Sequence, residues 1–405
     1  MHQSPSRAVA ATHARLERAR ARLRARDAGI VRSQVELSEI PAPTGAEERR
    51  GREVARRFRE LRLSRLHTDD VGNVVGVRAG EDDSLAPVVV CAHLDTVFPD
   101  GTPLVVRHED GVLTGPGIGD NSRGLAVMLA LAEELDGARL RTLRPVVFAA
   151  TVGEEGMGDL RGARALFATS GAGAGAHVAI ALDGAGDERI VHRALGSRRF
   201  RVTFRGPGGH SWAAYGVPNP VHAAASMAAT LARLQLPTTP RTTLSVTRIG
   251  GGISVNSIPE DGWLEVDLRS TSTAVLDRYS AEISAAALEA AGSEDGRRAP
   301  RAPKLSTSVV VVGDRPCGEV PMEHHLVRVA FEATRLVGRH PAGATASTDA
   351  SVPIGLGIPS VAIGAGGSGG GAHTLGEWYD NRQGTLGVAR ALTLITTMAE
   401  LHSAG

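Results

Sequence analysis

The chain has 405 residues, 42% of them hydrophobic and 22% charged, a composition that excludes a miniprotein and an intrinsically disordered chain and predicts two or three domains. Its 45 basic and 44 acidic residues leave a net charge of +1, which argues against a dedicated nucleic-acid binder, and no apolar run approaches the roughly 20 residues of a membrane span, so a soluble, cytoplasmic protein is expected. Two cysteines, Cys91 and Cys317, allow neither a disulfide framework nor a thiolate zinc site, and the only lysine, Lys304, is followed by Leu305, which excludes a GK[ST] phosphate loop.

In chain order, the first thirty residues carry seven arginines, from Arg7 to Arg26, among Ala, Leu and Glu. Glu17 and Asp27 speak against a transit peptide, so this stretch reads as one N-terminal helix lying on the first domain. Residues 36–61 read as a turn at Pro41 to Gly45 and an amphipathic helix with Val54, Phe58 and Leu61 on one face. The apolar runs NVVGVRAG, APVVVCAHLD, RPVVFAATV and AHVAIALDG then alternate with helices at 124–135 and near 160–168. Continuous Val/Ile/Ala runs suit strands buried on both faces, and the alternation predicts an α/β domain with a mixed, largely parallel sheet. From about Gly196 the order becomes βαββαβ, that of a ferredoxin-like split unit, with a solvated Arg/Pro loop at 297–304. A helix at 322–337 and the strand-like IPSVAIGAG then resume the first domain. The expected organisation is a discontinuous catalytic domain, 1–195 and 318–405, with a self-contained domain inserted at 196–317.

Ligand sites in such sheets lie beyond the carboxyl ends of the strands, where five groups of polar residues stand. His93 and Asp95 close VVVCAHLD, and a carboxylate two residues from an imidazole is placed to hold the ring while its other nitrogen binds a metal. Asp120 sits in the glycine-rich turn GPGIGDNSRG before a helix; taken alone it also reads as a helix N-cap. Glu154 and Glu155 follow RPVVFAATVG, and adjacent carboxylates in a confined site repel unless a cation or proton divides their roles. Asp183 closes AHVAIALDG, and His373 follows a glycine run. Each has an ordinary reading as a turn or loop residue. Together they supply two histidines and several carboxylates without thiolate, a donor set for two zinc or similar divalent ions with a bridging carboxylate.

On the motifs HLDTV, GDNSRG, TVGEEG, LDG and AHTLGE, in this order from His93 to Glu377, the chain resembles the dinuclear zinc metallopeptidases and deacylases: peptidase T, carboxypeptidase G, acetylornithine deacetylase, succinyl-diaminopimelate desuccinylase and the aminoacylases. GGHSW at His210, VNSIP at Asn256 and DLRS at Arg269 match in the inserted domain, which the resemblance makes a lid and dimerisation domain. The resemblance implies two Zn2+ ions, or Co2+ or Mn2+ in their place, with His93 and Asp183 on one, Glu155 and His373 on the other, and Asp120 bridging. It further implies that Asp95 orients His93, that Glu154 takes a proton from a metal-bridging hydroxide's parent water, that His210 stabilises the oxyanion, and that Arg269 and Asn256 bind a substrate carboxylate. A cis peptide after Asp120 and a homodimer formed through the lid belong to the same expectation, with small N-acyl amino acids or short peptides as substrates. Asn121 departs from the family, many of whose members carry a second aspartate there, and Asp183 disfavours the carbamoyl-amino-acid hydrolases, which generally carry histidine at that point.

Two other readings stay open. Gly366 to Gly370 satisfies G-x-S-x-G, which would make Ser368 a serine-hydrolase nucleophile, although the motif arises easily in a glycine-saturated loop. A non-catalytic metal-binding protein on the same fold is the other. Arg269 likewise has an alternative role, pairing with Asp267 or Glu265 on its own strand.

Overall fold

The computed structural model describes residues 5–137 and 140–401. The chain divides into two compact units, one formed by Met1–Ala194 with Glu319–Gly405 and the other by Leu195–Gly318.

The first unit is built on a mixed nine-stranded sheet. At its centre Val146–Thr151, Val88–His93, Val178–Leu182 and Ser360–Ile363 lie side by side, all parallel. Every residue of these four strands is buried, as their unbroken β-branched and alanine sequences require. Val74–Arg78 pairs antiparallel with Val146–Thr151 on one flank, and Arg189–Ala194 antiparallel with Ser360–Ile363 on the other. Arg189–Ala194 and its parallel neighbour Ala342–Ala346 were not expected from sequence, because their glycine, arginine and alanine content carries little strand signal. A separate four-stranded sheet joins Arg107–Glu109, Val112–Thr114, Ser368–Gly370 and Trp378–Asp380.

The helix Ser122–Gly137 is buried over most of its circumference, from Ser122 through Leu135, and lies on the parallel strands. It can do so because Gly124 has no side chain: a Cβ there would stand 2.5 Å from the Leu182 carbonyl oxygen. Its first turn is capped by Asn121, whose Oδ1 accepts from Gly124 N at 3.2 Å, so the capping role that sequence allowed Asp120 belongs to its neighbour. The single N-terminal helix expected from sequence is three, Pro5–Arg15, Glu17–Ala25 and Asp27–Ser38, interrupted at Leu16 and Arg26 where ψ is close to zero. Val9, Leu16, Leu23 and Ile30, spaced by seven and so close to one face of a helical path, are all buried. The first packs on the helices His325–Leu336 and Gly384–Met398, where His13 Nδ1 meets Thr393 Oγ1 at 2.9 Å, and Arg22 pairs with the buried Glu134 at 2.7 Å.

The second unit has the order Thr242–Gly251, Asp261–Ser270, Gly196–Arg205, Ser306–Arg315 in one antiparallel sheet, with Pro220–Leu231 and Thr273–Asp295 as its two helices. Alternate residues of Asp261–Ser270 are buried, and Phe200, Val202, Phe204, Leu264, Val266 and Leu268 meet Met227, Tyr279 and Ile283 in a core of their own. This is the ferredoxin-like strand order.

Candidate metal centre

The four central strands run parallel, so their carboxyl ends open on one edge of the first unit. His93 is the last residue of its strand, Glu154 and Glu155 follow Thr151 by three and four residues, Asp183 follows Leu182, and His373 is reached from Ile363 through the glycine run. Asp120 comes from the turn before Ser122–Gly137, with a cis peptide bond between Asp120 and Asn121, as the resemblance implies.

The geometry centres on Asp120. Its Oδ1 is 3.0 Å from His93 Nε2, which is also 4.0 Å from Asp183 Oδ1. Its Oδ2 is 3.4 Å from His373 Nε2, which is 2.9 Å from Glu155 Oε1. One carboxylate thus faces two nitrogen–oxygen groups, one from each of its oxygens. His93 Nδ1 lies 3.1 Å from the Asp95 backbone carbonyl, an acceptor only, which places the ring proton on Nδ1 and turns the Nε2 lone pair toward the lone pairs of Asp120 and Asp183. Lone pairs directed at one another need a positive charge between them. Protons or cations can supply it. Burial works against the His93 imidazolium, but Asp120 and Asp95 outweigh it and hold the pKa well above the usual imidazole range. His373 is pushed up to about 9, chiefly by Asp120, against burial. Burial would raise Asp120, yet its bonds to His373 and His93 bring it well below the ordinary carboxylate range, while burial raises Asp183 and Glu155. Two divalent cations would replace those protons and relieve the repulsion among the carboxylates, and the absence of thiolate suits the N/O set of zinc, cobalt or manganese. On the chemistry of its donors, the site fits the metals.

Asp95, expected to orient His93, is fully buried beside that ring and also holds the loop of Glu154 and Glu155. Its Oδ1 stands 3.6 Å from His93 Nδ1, and the ring is bonded to the Asp95 carbonyl instead. The carboxylate accepts from Glu154 N and Glu155 N, both at 2.9 Å, and from Thr44 Oγ1 at 2.9 Å, so it mainly fixes the loop that carries those two glutamates. Burial opposes its ionisation, but His93 and the two backbone N–H groups pull its pKa down to about 2.

Further residues hold the site and were not singled out from sequence. Glu47 Oε1 accepts from Gly153 N at 3.1 Å while its carboxylate pairs with Arg161 at 2.6 Å. Arg50 is completely buried and donates to the carbonyls of Leu94 at 2.8 Å and Ile40 at 2.7 Å; burial lowers its pKa to about 10. Arg123 donates to Ala365 O at 2.9 Å and Arg390 to Gly364 O at 2.5 Å, pinning the start of the glycine loop that leads to His373. Asp349, buried, accepts from the Thr151 hydroxyl, and burial pushes its carboxyl up to about 6. Glu377, quoted in the motif at His373 but given no role, accepts three backbone N–H groups around Asp120.

Of the residues expected on the second unit, His210 and Asn256 fall together. Gly209–His210 bridges Ser257–Ile258, Ser211 N donates to Asn256 O at 3.0 Å, and Trp212 N donates to His210 Nδ1 at 3.2 Å, which leaves the ring proton on Nε2. Arg269 donates through Nε to Asp267 Oδ2 at 2.7 Å, the same-strand pair that sequence offered as the alternative to carboxylate binding. Ser368 lies in a short strand paired with Asp380 and not on a strand-to-helix turn, so the nucleophile-elbow geometry is absent.

The profile of the family described as Peptidase family M20/M25/M40 matches residues 89–397. Among solved structures, the chain is similar to the aminopeptidase PepT of Bacillus cereus, at 23% identity and a TM-score of 0.72 over 92% of this chain and 98% of that one. A tripeptidase from Staphylococcus aureus gives 21% identity and a TM-score of 0.74 over 91% and 98%. The YxeP protein of Bacillus subtilis, described as a dinuclear metal-binding peptidase, gives 17% and 0.66 over 92% and 98%. At these identities the likeness speaks for the fold. No curated protein matches the sequence significantly.

Proposed function

The chain belongs to the M20/M25/M40 peptidase family, metal-dependent hydrolases of amide bonds, and from that premise we propose that it cleaves a small N-acyl amino acid or short peptide bearing a free carboxylate, using two Zn2+ ions. The observation that carries the proposal is the division of labour at Asp120, whose Oδ1 meets His93 while its Oδ2 meets His373. His93 and Asp183 would hold one ion, His373 and Glu155 the other, and Asp120 both. When bound, such ions polarise a carbonyl and lower the pKa of water.

The remaining work falls to the chain's own side chains. Glu154, buried and held through its backbone by Asp95, accepts the proton of the attacking water on its carboxylate and delivers it to the leaving nitrogen. His210, whose Nε2 carries its proton, donates to the oxyanion of the tetrahedral carbon. Asn256 and the Nη groups of Arg269 receive the substrate carboxylate, the Arg269 Nε remaining on Asp267 as a brace. Pairing through the second unit into a homodimer and action in the cytoplasm complete the proposal; among the described residues no helix is long and apolar enough to cross a membrane.

The test is a panel of N-acyl amino acids and di- and tripeptides offered to the Zn2+-loaded protein with and without a chelator. Turnover of at least one carboxylate-bearing amide, abolished by the chelator and restored by Zn2+, is expected. Chelator-insensitive turnover, or none across the panel, would overturn the proposal.

A further inference from the structure

Resting on the two-metal proposal above, we infer that Glu377 is the positioning residue that sets the bridging carboxylate, by stapling the turn of Asp120 to the segment that carries His373. Glu377 is 2% exposed. Its Oε1 accepts from Gly119 N and Asp120 N, both at 2.7 Å, and its Oε2 accepts from Gly117 N at 2.9 Å. Its backbone carbonyl accepts from Gly115 N at 2.9 Å, so one residue takes four amides of the turn 115–120. No arginine, lysine or histidine pairs with the carboxylate among the described residues, and the partners of its oxygens are backbone N–H groups.

The connection matters because of what lies at either end. Glu377 stands four residues after His373, whose Nε2 reaches both Glu155 and Asp120. Asp120 in turn gives one oxygen to each histidine. The Glu377 carboxylate therefore fixes the distance between a terminal ligand of one ion and the ligand shared by both. It also leaves no freedom in the turn: a Cβ on Gly119 would stand 3.0 Å from Glu377 Oε1, and Gly117 has φ +69°, a conformation that favours glycine. Losing the staple would displace Asp120 toward or away from both metal positions together, whereas losing His373 or His93 would strip only one. Outer residues that orient ligands typically account for about 10- to 100-fold in metal affinity.

Glu377→Gln and Glu377→Ala separate this role from packing. The glutamine keeps one oxygen for Gly119 and Asp120 but turns an amide N–H2 toward Gly117 N–H; the alanine keeps nothing. Metal-free wild type and both variants are titrated with Co2+, following d–d absorption and bound-ion stoichiometry, with the metal-free thermal midpoint as a second readout. Wild type should take two Co2+ per chain. Glu377→Ala should bind both ions roughly 10- to 100-fold more weakly with an altered d–d envelope, and Glu377→Gln should fall between. Wild-type affinity and spectrum in Glu377→Gln and Glu377→Ala, or a lowered thermal midpoint with an unchanged spectrum, would overturn the inference. Should the alanine variant not fold, Glu377→Gln decides by the same criterion. Failure of wild type to bind two ions would overturn the two-metal proposal itself, and is seen before either variant is compared.

Discussion

Replacing Asp95 by alanine should release the loop of Glu154 and Glu155 while the surrounding sheet stays folded. The Asp95 carboxylate is fully buried and receives Glu154 N, Glu155 N and Thr44 Oγ1, each at 2.9 Å. The threonine hydroxyl has the Thr96 carbonyl, 3.4 Å away, as a second acceptor, so the two amides bear most of the loss. A buried donor left without its acceptor costs about 1–3 kcal/mol, which puts the local penalty at about 2–6 kcal/mol for the pair. Hydrogen exchange followed by mass spectrometry on metal-free protein reads this directly. The amides of residues 153–156 should exchange at least roughly 30-fold faster in Asp95→Ala, up to the limit set by global unfolding, with peptides from Val178–Leu182 unchanged. Asp95→Asn retains one acceptor oxygen and should show a smaller acceleration. Unchanged exchange at 153–156 in Asp95→Ala would refute the assignment of Asp95 as the anchor of this loop.

Asp120→Ala should lose both metal ions at once, because its two oxygens serve the two histidines separately; retention of one tightly bound ion by elemental analysis would contradict the bridging role. Asn121→Ala removes the acceptor of Gly124 N and Gly184 N and the donor to Leu182 O at 2.8 Å, and should lower stability by about 2–5 kcal/mol in urea unfolding; a loss below about 0.5 kcal/mol would mean that water replaces these bonds. If Arg269 binds substrate, an N-acyl amino acid should exceed its carboxamide in kcat/KM by at least about tenfold, and Arg269→Ala should erase the difference; equal rates on the two substrates would leave Arg269 as a partner of Asp267 only.

Much of the site was legible because the residues involved end long apolar strands. VVVCAH, VVFAAT and VAIAL can hardly be anything but buried parallel strands in an α/β chain, and a polar residue immediately beyond such a run must sit at the sheet's carboxyl edge. That places His93, Glu154, Glu155 and Asp183 near one another before any coordinates exist. The supporting residues were hidden for the opposite reason, since their partners are backbone groups. Nothing in the sequence tells that the Asp95 carboxylate would bond to two amides while its carbonyl took the histidine, or that Glu377 would gather the amides of a turn some 260 positions earlier. Buried Arg50, Arg123 and Arg390 look in sequence like any of the many solvated arginines, and only the fold brings carbonyls to them. The broken N-terminal helix was missed because helix period is a local signal, whereas the breaks at Leu16 and Arg26 answer to the surface the segment packs on.

Metal-dependent hydrolysis with Glu154 as the proton acceptor is tested most directly by measuring bound Zn2+ and amide turnover on one preparation of Glu154→Gln. The substitution keeps shape and hydrogen-bonding capacity but removes the basic carboxylate, so the protein should retain two Zn2+ per chain while turnover falls by at least roughly 10²- to 10⁴-fold. Ordinary turnover by the fully loaded variant would contradict the account.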